Sequence, residues 1–142
     1  YAVFNQTWVK PNGEKPAAMA WSLNNERNEE MKQIEWAEFT QVELRAGTIV
    51  SAEIFKEARK PAYILQVDFG DEIGVKKSSA QITDLYNPEE LIGKQVMAVI
   101  NFPAKQIGPI MSECLVTGFY NEDGHVVLAV PDKAIRNGAK LA

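Results

Sequence analysis

Apolar and polar residues alternate most cleanly at Tyr63, Leu65, Val67 and Phe69, with Gln66 and Asp68 between them. A period of two marks a strand with one buried face. Residues 47–55 carry Val50, Ala52 and Ile54 on one face and predict an earlier strand. The Gly- and acid-rich stretch 70–74 is a turn, and residues 73–78 return as a third strand, so strands two and three form a hairpin. Asn87-Pro88-Glu89-Glu90 then predicts a helix start, with Asn as cap, Pro at the first position and acids in the first turn. Gly93 ends that helix. Residues 95–101, 114–119 and 126–130 predict strands four to six, the last two joined through 121–124 as a hairpin. A short helical lead-in spans 36–42.

Residues 1–35 differ in texture. Residues 1–9 alternate aromatic and polar side chains like a short strand, broken by Pro11, Asn12, Gly13 and Pro16. Residues 24–33 are highly polar and predict an exposed turn or two of helix. This part is expected to be an N-terminal extension. Met19 and Met31 each offer an alternative start. Asn5-Gln6-Thr7 fits the glycosylation tripeptide but has no secretory signal to give it meaning. Residues 36–142 are the expected folded domain.

Three strands, a short helix and further strands suit an all-β, small Greek-key barrel. The OB-fold, a five-stranded Greek-key barrel with a short helix between strands three and four, is one such barrel. A β-sandwich shows similar spacing.

Composition narrows the chemistry. The chain has 142 residues, with one His and one Cys. His125 and Cys114 alone are a poor supply of metal ligands, so neither metal nor cofactor is expected. His125 follows the turn 121–124 and reads as a turn or strand-edge residue. Cys114 lies in an apolar strand pattern and reads as a small core residue rather than a nucleophile. An enzyme is not expected. A single Cys forms no internal disulfide, which fits a reducing compartment. The apolar runs are far too short for a membrane span. Gly74-Val75-Lys76-Lys77-Ser78 lacks the spacing of a phosphate loop.

The chain carries 15 basic and 19 acidic residues, a net charge of -4. Coating of nucleic acid by the whole surface is therefore excluded, and RNA binding requires a local patch. The basic residues do cluster. Lys56, Arg59 and Lys60 occupy the loop between strands one and two. Lys76 and Lys77 close strand three, just before Ser78, Ser79 and Gln81. Lys105 and Gln106 follow Asn101-Phe102-Pro103. In an OB-fold the loops after strands one and four border the oligonucleotide face. Cations there would bind phosphate, and Ser, Asn and Gln would reach sugars or base edges. The competing reading is scattered, solvated charge. Tyr63, Tyr86, Phe102 and Tyr120 are candidate stacking platforms, while Phe69 and Phe119 read as core.

Several motifs in order resemble the CsaA-type proteins of the tRNA-binding domain family. They are Leu44-Arg45-Ala46-Gly47-Thr48-Ile49-Val50, Gln66-Val67-Asp68-Phe69-Gly70, Lys77-Ser78-Ser79-Ala80-Gln81-Ile82-Thr83 and Val99-Ile100-Asn101-Phe102-Pro103. Ser112-Glu113-Cys114-Leu115-Val116, Pro131-Asp132 and Asn137-Gly138 complete the set. The resemblance runs from about residue 36 to 142, and a start at Met31 leaves a domain of the usual length. It implies a cytoplasmic OB-fold homodimer that binds tRNA-like RNA without catalysis. The RNA-facing positions it implies are 56–60, 76–79, Asn101, Lys105 and Ser112-Glu113. Ser112 and Glu113 would serve equally well as braces of the barrel through backbone hydrogen bonds, and Arg45 as a structural ion-pair partner. The resemblance also implies an alternative, an export-related chaperone that binds unfolded polypeptide. From residue 37 on there are 11 basic against 14 acidic residues, so few phosphates are neutralised and binding should be weak and salt-sensitive.

Overall fold

A computed structural model describes residues 31–142. The expected strand at 1–9 lies outside the described residues, as does most of the expected helix at 24–33. A one-turn helix, α1 (Trp36–Phe39), leads into β1 (Leu44–Ile54). Strands β2 (Tyr63–Asp68) and β3 (Val75–Ala80) follow, then the helix α2 (Pro88–Leu91) and β4 (Gln95–Val99). Two short hairpins and a junction strand complete the chain: β5 (Lys105–Ile107) with β6 (Ile110–Ser112), β7 (Leu115–Val116), and β8 (Gly118–Tyr120) with β9 (Val126–Leu128).

The main sheet is antiparallel, in the order β3-β2-β1-β4-β7. β1 is long because its two halves serve different partners. Residues 44–48 pair with β4, and residues 48–54 pair with β2. A bulge between Ile49 and Ser51 accommodates the turn between the two pairings and leaves Val50 exposed. The sheet curls until β3 approaches β6 and β7, giving a nearly closed five-stranded OB-fold barrel. Ile49, Leu65, Val67, Phe69, Ile82, Leu91, Val96 and Val116 fill it. α2 is set by a capping box: Asn87 Oδ1 accepts the Glu90 N–H at 2.9 Å, and Glu90 Oε2 accepts the Asn87 N–H at 3.2 Å. Its single buried side chain, Leu91, joins the core.

Two expected strands are corrected. Strand three begins at Val75 rather than residue 73, because Gly74 (φ 87°) completes the turn and its carbonyl accepts the Phe69 N–H. The expected strand at 114–119 is two pieces. Thr117 breaks it by donating both its N–H and its Oγ1 hydrogen to Met97 O. The expected hairpin through 121–124 is present as β8 paired with β9, in a ribbon separate from the barrel sheet. The β5–β6 hairpin was not expected at all.

Phe119 is not core. It is 70% exposed, because it faces outward across the ribbon from Val127, while Val126 and Leu128 face inward. The last residues form a strap along β1. Gly138 N–H donates to Ala46 O, Ala46 N–H to Ala139 O, and Leu141 N–H to Leu44 O, all at 2.8–2.9 Å.

Candidate nucleic-acid interface

The pairing of β2 with β3 sorts the basic residues by face. Lys77 lies opposite Gln66, and Ser79 opposite Ile64. Lys76 and Ser78 lie opposite the fully buried Val67 and Leu65. Strand alternation therefore puts Lys77 and Ser79 on the outer face with Gln66 and Ile64. Lys76 is on the other face, close enough to Cys114 to act on its thiol. The two neighbouring lysines do not share one side.

The β5–β6 hairpin connects this face to the basic loop. Lys105 is the register partner of Ser112, and Ser112 Oγ accepts the Ser79 N–H at 3.1 Å. At the hairpin tip, a Cβ built on Gly108 would lie 3.4 Å from the Phe55 ring and 3.9 Å from Glu57 Cβ. Phe55 is buried there, and anchors the loop that carries exposed Lys56, Arg59 and Lys60. The outer face of β2–β3, the loop 55–62 and the hairpin thus form one continuous surface. Lys56, Arg59, Lys60, Lys77 and Lys105 are all exposed on it.

Four expected contact residues are placed differently. Ser78 and Ser112 are fully buried, so neither reaches a ligand. Ser112 acts instead as a brace beneath the surface, and Ser79, also buried, supplies its N–H to that brace. Asn101 is exposed, but its amide is engaged at both ends: Nδ2 donates to Gln41 O at 2.7 Å and Oδ1 accepts the Glu43 N–H at 3.0 Å. It fixes the start of β1 to the end of β4. Arg45 is a structural ion-pair partner, donating to Glu43 Oε1 and to Gly138 O.

Most candidate stacking rings are engaged in the fold. Tyr63 is buried and donates to Tyr86 O at 2.6 Å. Tyr86 Oη accepts the Leu128 N–H at 3.0 Å. Tyr120 packs against the core, where burial pushes its hydroxyl up to about 12. Phe102 stays exposed beside the hairpin. Burial likewise pushes the Cys114 thiol up to about 12, so it is protonated at neutral pH and a poor nucleophile. Among the described residues, no group of His, Cys, Asp and Glu side chains is placed to hold a metal ion. No helix among them is long and apolar enough to cross a membrane.

Sequence reasoning missed Gln66 and Ile64, which complete the outer face, because their role depends on the β2–β3 register. It also missed the hairpin, although Gly108-Pro109 between two isoleucines is a turn signal.

The family model described as "Putative tRNA binding domain" matches residues 44–140. The chain belongs to the tRNA-binding domain family. It is similar to the chaperone CsaA of Bacillus anthracis, at 50% identity and a TM-score of 0.74, over 78% of this chain and all of that one. A CsaA chaperone protein from Picrophilus torridus matches at 48% identity with a TM-score of 0.73, again over 78% of this chain and 100% of that one. The methionine–tRNA ligase of Methanocaldococcus jannaschii is 35% identical over 80% of this chain but only 17% of its own length. This chain thus spans about a sixth of the curated relatives it matches. The match supports a binding module of the CsaA type, and the ligases carry their chemistry on a length this chain does not share.

Proposed function

We propose that this chain is a non-catalytic, cytoplasmic tRNA-binding module that grips structured RNA by its backbone and works as a homodimer. The carrying observation is the surface built from the β2–β3 face, the loop 55–62 and the β5–β6 hairpin. It corresponds in position to the side on which OB-fold barrels bind oligonucleotides, and Lys56, Arg59, Lys60, Lys77 and Lys105 are exposed there. These cations contact phosphates, with Gln66 and Gln106 within the same surface for sugars or base edges. Ser112 and Ser79 brace the surface from beneath, and Lys76 serves from the other face of β3 as a more distant charge. Few exposed aromatic rings favour a folded RNA over an extended strand.

The dimer reading rests on Phe119 and Val127, a cross-strand apolar pair facing away from the core. A twofold axis would set this patch against its own copy. Light scattering should give about twice the 15.8 kDa chain mass, and Phe119→Asp should reduce it to one chain. A wild-type monomer would remove the homodimer from the reading.

A second reading, capture of unfolded polypeptide as an export-related chaperone, is favoured by one feature. An apolar groove of about 310 Å³ lies between β1 and the strap, lined by Leu44, Met97, Pro131, Ile135 and Leu141. The test is binding of unfractionated tRNA at two salt concentrations, with an unfolded polypeptide as competitor. Strong salt dependence with no competition supports the RNA reading. Salt-tolerant capture of the polypeptide without RNA binding supports the chaperone.

A further inference from the structure

Among the contacts that hold the strap on β1 is the dipeptide Asn137-Gly138, whose amide oxygen and backbone nitrogen are engaged in hydrogen bonds. Asn137 Oδ1 accepts from Thr48 Oγ1 at 2.7 Å and from Gln95 Nε2 at 3.2 Å. The Gly138 N–H donates to Ala46 O at 2.8 Å. Gln95 also binds both backbone polar groups of Ile135. Gly138 has φ 90°, and a Cβ there would lie 2.6 Å from Phe69 O. Glycine is thus required at 138 by the fold, and it leaves Asn137 followed by the least hindered backbone nitrogen a chain can offer.

We propose that Asn137 is a deamidation site gated by docking of the C-terminal strap. In the reaction the Gly138 nitrogen gives up its proton and attacks Asn137 Cγ. The new N–Cγ bond closes a five-membered succinimide, the Cγ–Nδ2 bond breaks, and the amide nitrogen leaves as ammonia. Solvent water then opens the ring at either carbonyl, giving aspartate or isoaspartate at position 137. No oxidant or reductant is consumed.

The docked strap blocks this reaction in two ways. The nucleophile is held toward Ala46 O, and the electrophilic amide is held toward Thr48 and Gln95. Attack requires both sets of hydrogen bonds to open together, which is a local unfolding of the strap. The two products then differ. Aspartate keeps an acceptor opposite Thr48 and Gln95, both donors, so the strap can re-dock. Isoaspartate adds one main-chain atom between 137 and 138, so the bonds of Gly138 and Ala139 to Ala46 lose register. Strap opening, otherwise reversible, is made permanent by the second product.

The test is peptide mapping of segment 132–142 after incubation of the full chain at mildly alkaline pH, folded and in denaturant. Modification at 137 should be at least ~10-fold slower in the folded chain, as expected for a site that reacts only when locally open. Thr48→Val and Gln95→Ala should each raise the folded rate at a temperature where thermal melts show the variant still folded. Equal rates in folded and denatured chains would overturn the proposal. So would folded variants that both react at the wild-type rate.

Discussion

Glu113 and Lys77 exchange two hydrogen bonds across the gap that nearly closes the barrel. The Glu113 N–H donates to Lys77 O at 2.8 Å, and the Lys77 N–H donates to Glu113 Oε1 at 2.9 Å. One residue thus supplies both halves of a strand pairing, its carboxylate standing in for a backbone carbonyl. Ser112 repeats the device one step along by accepting the Ser79 N–H. An open β3 edge is thereby covered without a full partner strand. The same bonds fix the face that presents Lys77.

Glu113→Ala and Ser112→Ala should therefore act on stability first. Removing the Ser112 hydroxyl strands the Ser79 N–H beneath the surface, at a cost of about 1–3 kcal/mol. Urea denaturation should show losses of that order for each variant. The salt slope of RNA binding should keep its wild-type value, since no phosphate contact is removed.

Gly47 sits where β1 passes over the core. A Cβ there would lie 2.6 Å from Val67 Cγ1 and 2.7 Å from the Phe69 ring. Both neighbours are buried and have little room to move. Gly47→Ala should destabilise the barrel by about 1–3 kcal/mol. A denaturation midpoint equal to wild type would show that the core gives way there more readily than its packing indicates.

The strap should loosen in acid. The hydrogen bond from Arg45, opposed by burial and aided by Lys140, holds the Glu43 carboxyl below its ordinary value. A depressed carboxylate contributes stability above its unfolded value, and loses that contribution as pH falls through the folded one. Amide exchange at Ala46 and Leu141 should quicken as pH falls below the ordinary carboxylate range, after correction for intrinsic exchange rates. Glu43→Gln should show the quicker exchange already at neutral pH.

Cys114 gives an alkaline counterpart. Burial raises its thiol from 9.0 to about 12, so the folded state favours the neutral form. The stabilisation is complete below the unfolded value and is lost as pH rises from about 9 toward 12. The melting temperature should fall across that window more steeply in wild type than in Cys114→Ala. Alkylation of the thiol at neutral pH should need denaturant.

The hairpin of β2 and β3, the cap at Asn87 and the helix between the third and fourth strands were legible in the sequence, because each is a local pattern read over a few residues. The hairpin of β5 and β6 was hidden because its strands have three residues each, too few to show a period. Phe119 misled because an apolar residue in a strand pattern does not say which face is covered; the break at Thr117 moved it out of the barrel. The basic clusters were visible as clusters. Their arrangement was not: a strand turns Lys76 and Lys77 to opposite faces, and only the register with β2 says which one looks outward. Ser112 and Asn101 are polar residues spent on backbone groups distant in sequence, and a chain read in order gives no sign of those partners.

The central claim is that phosphate binding is carried by the surface shared by Lys77, the loop 55–62 and the hairpin. Its most direct test is the salt dependence of tRNA binding for wild type, Lys77→Glu, Lys60→Glu and Lys133→Glu, the last an exposed lysine outside that surface. Lys77→Glu and Lys60→Glu should each weaken binding and lower the slope of log K against log salt by about one. Lys133→Glu should leave the slope at its wild-type value. Identical slopes for all four proteins would contradict the account and return the basic residues to ordinary solvated surface.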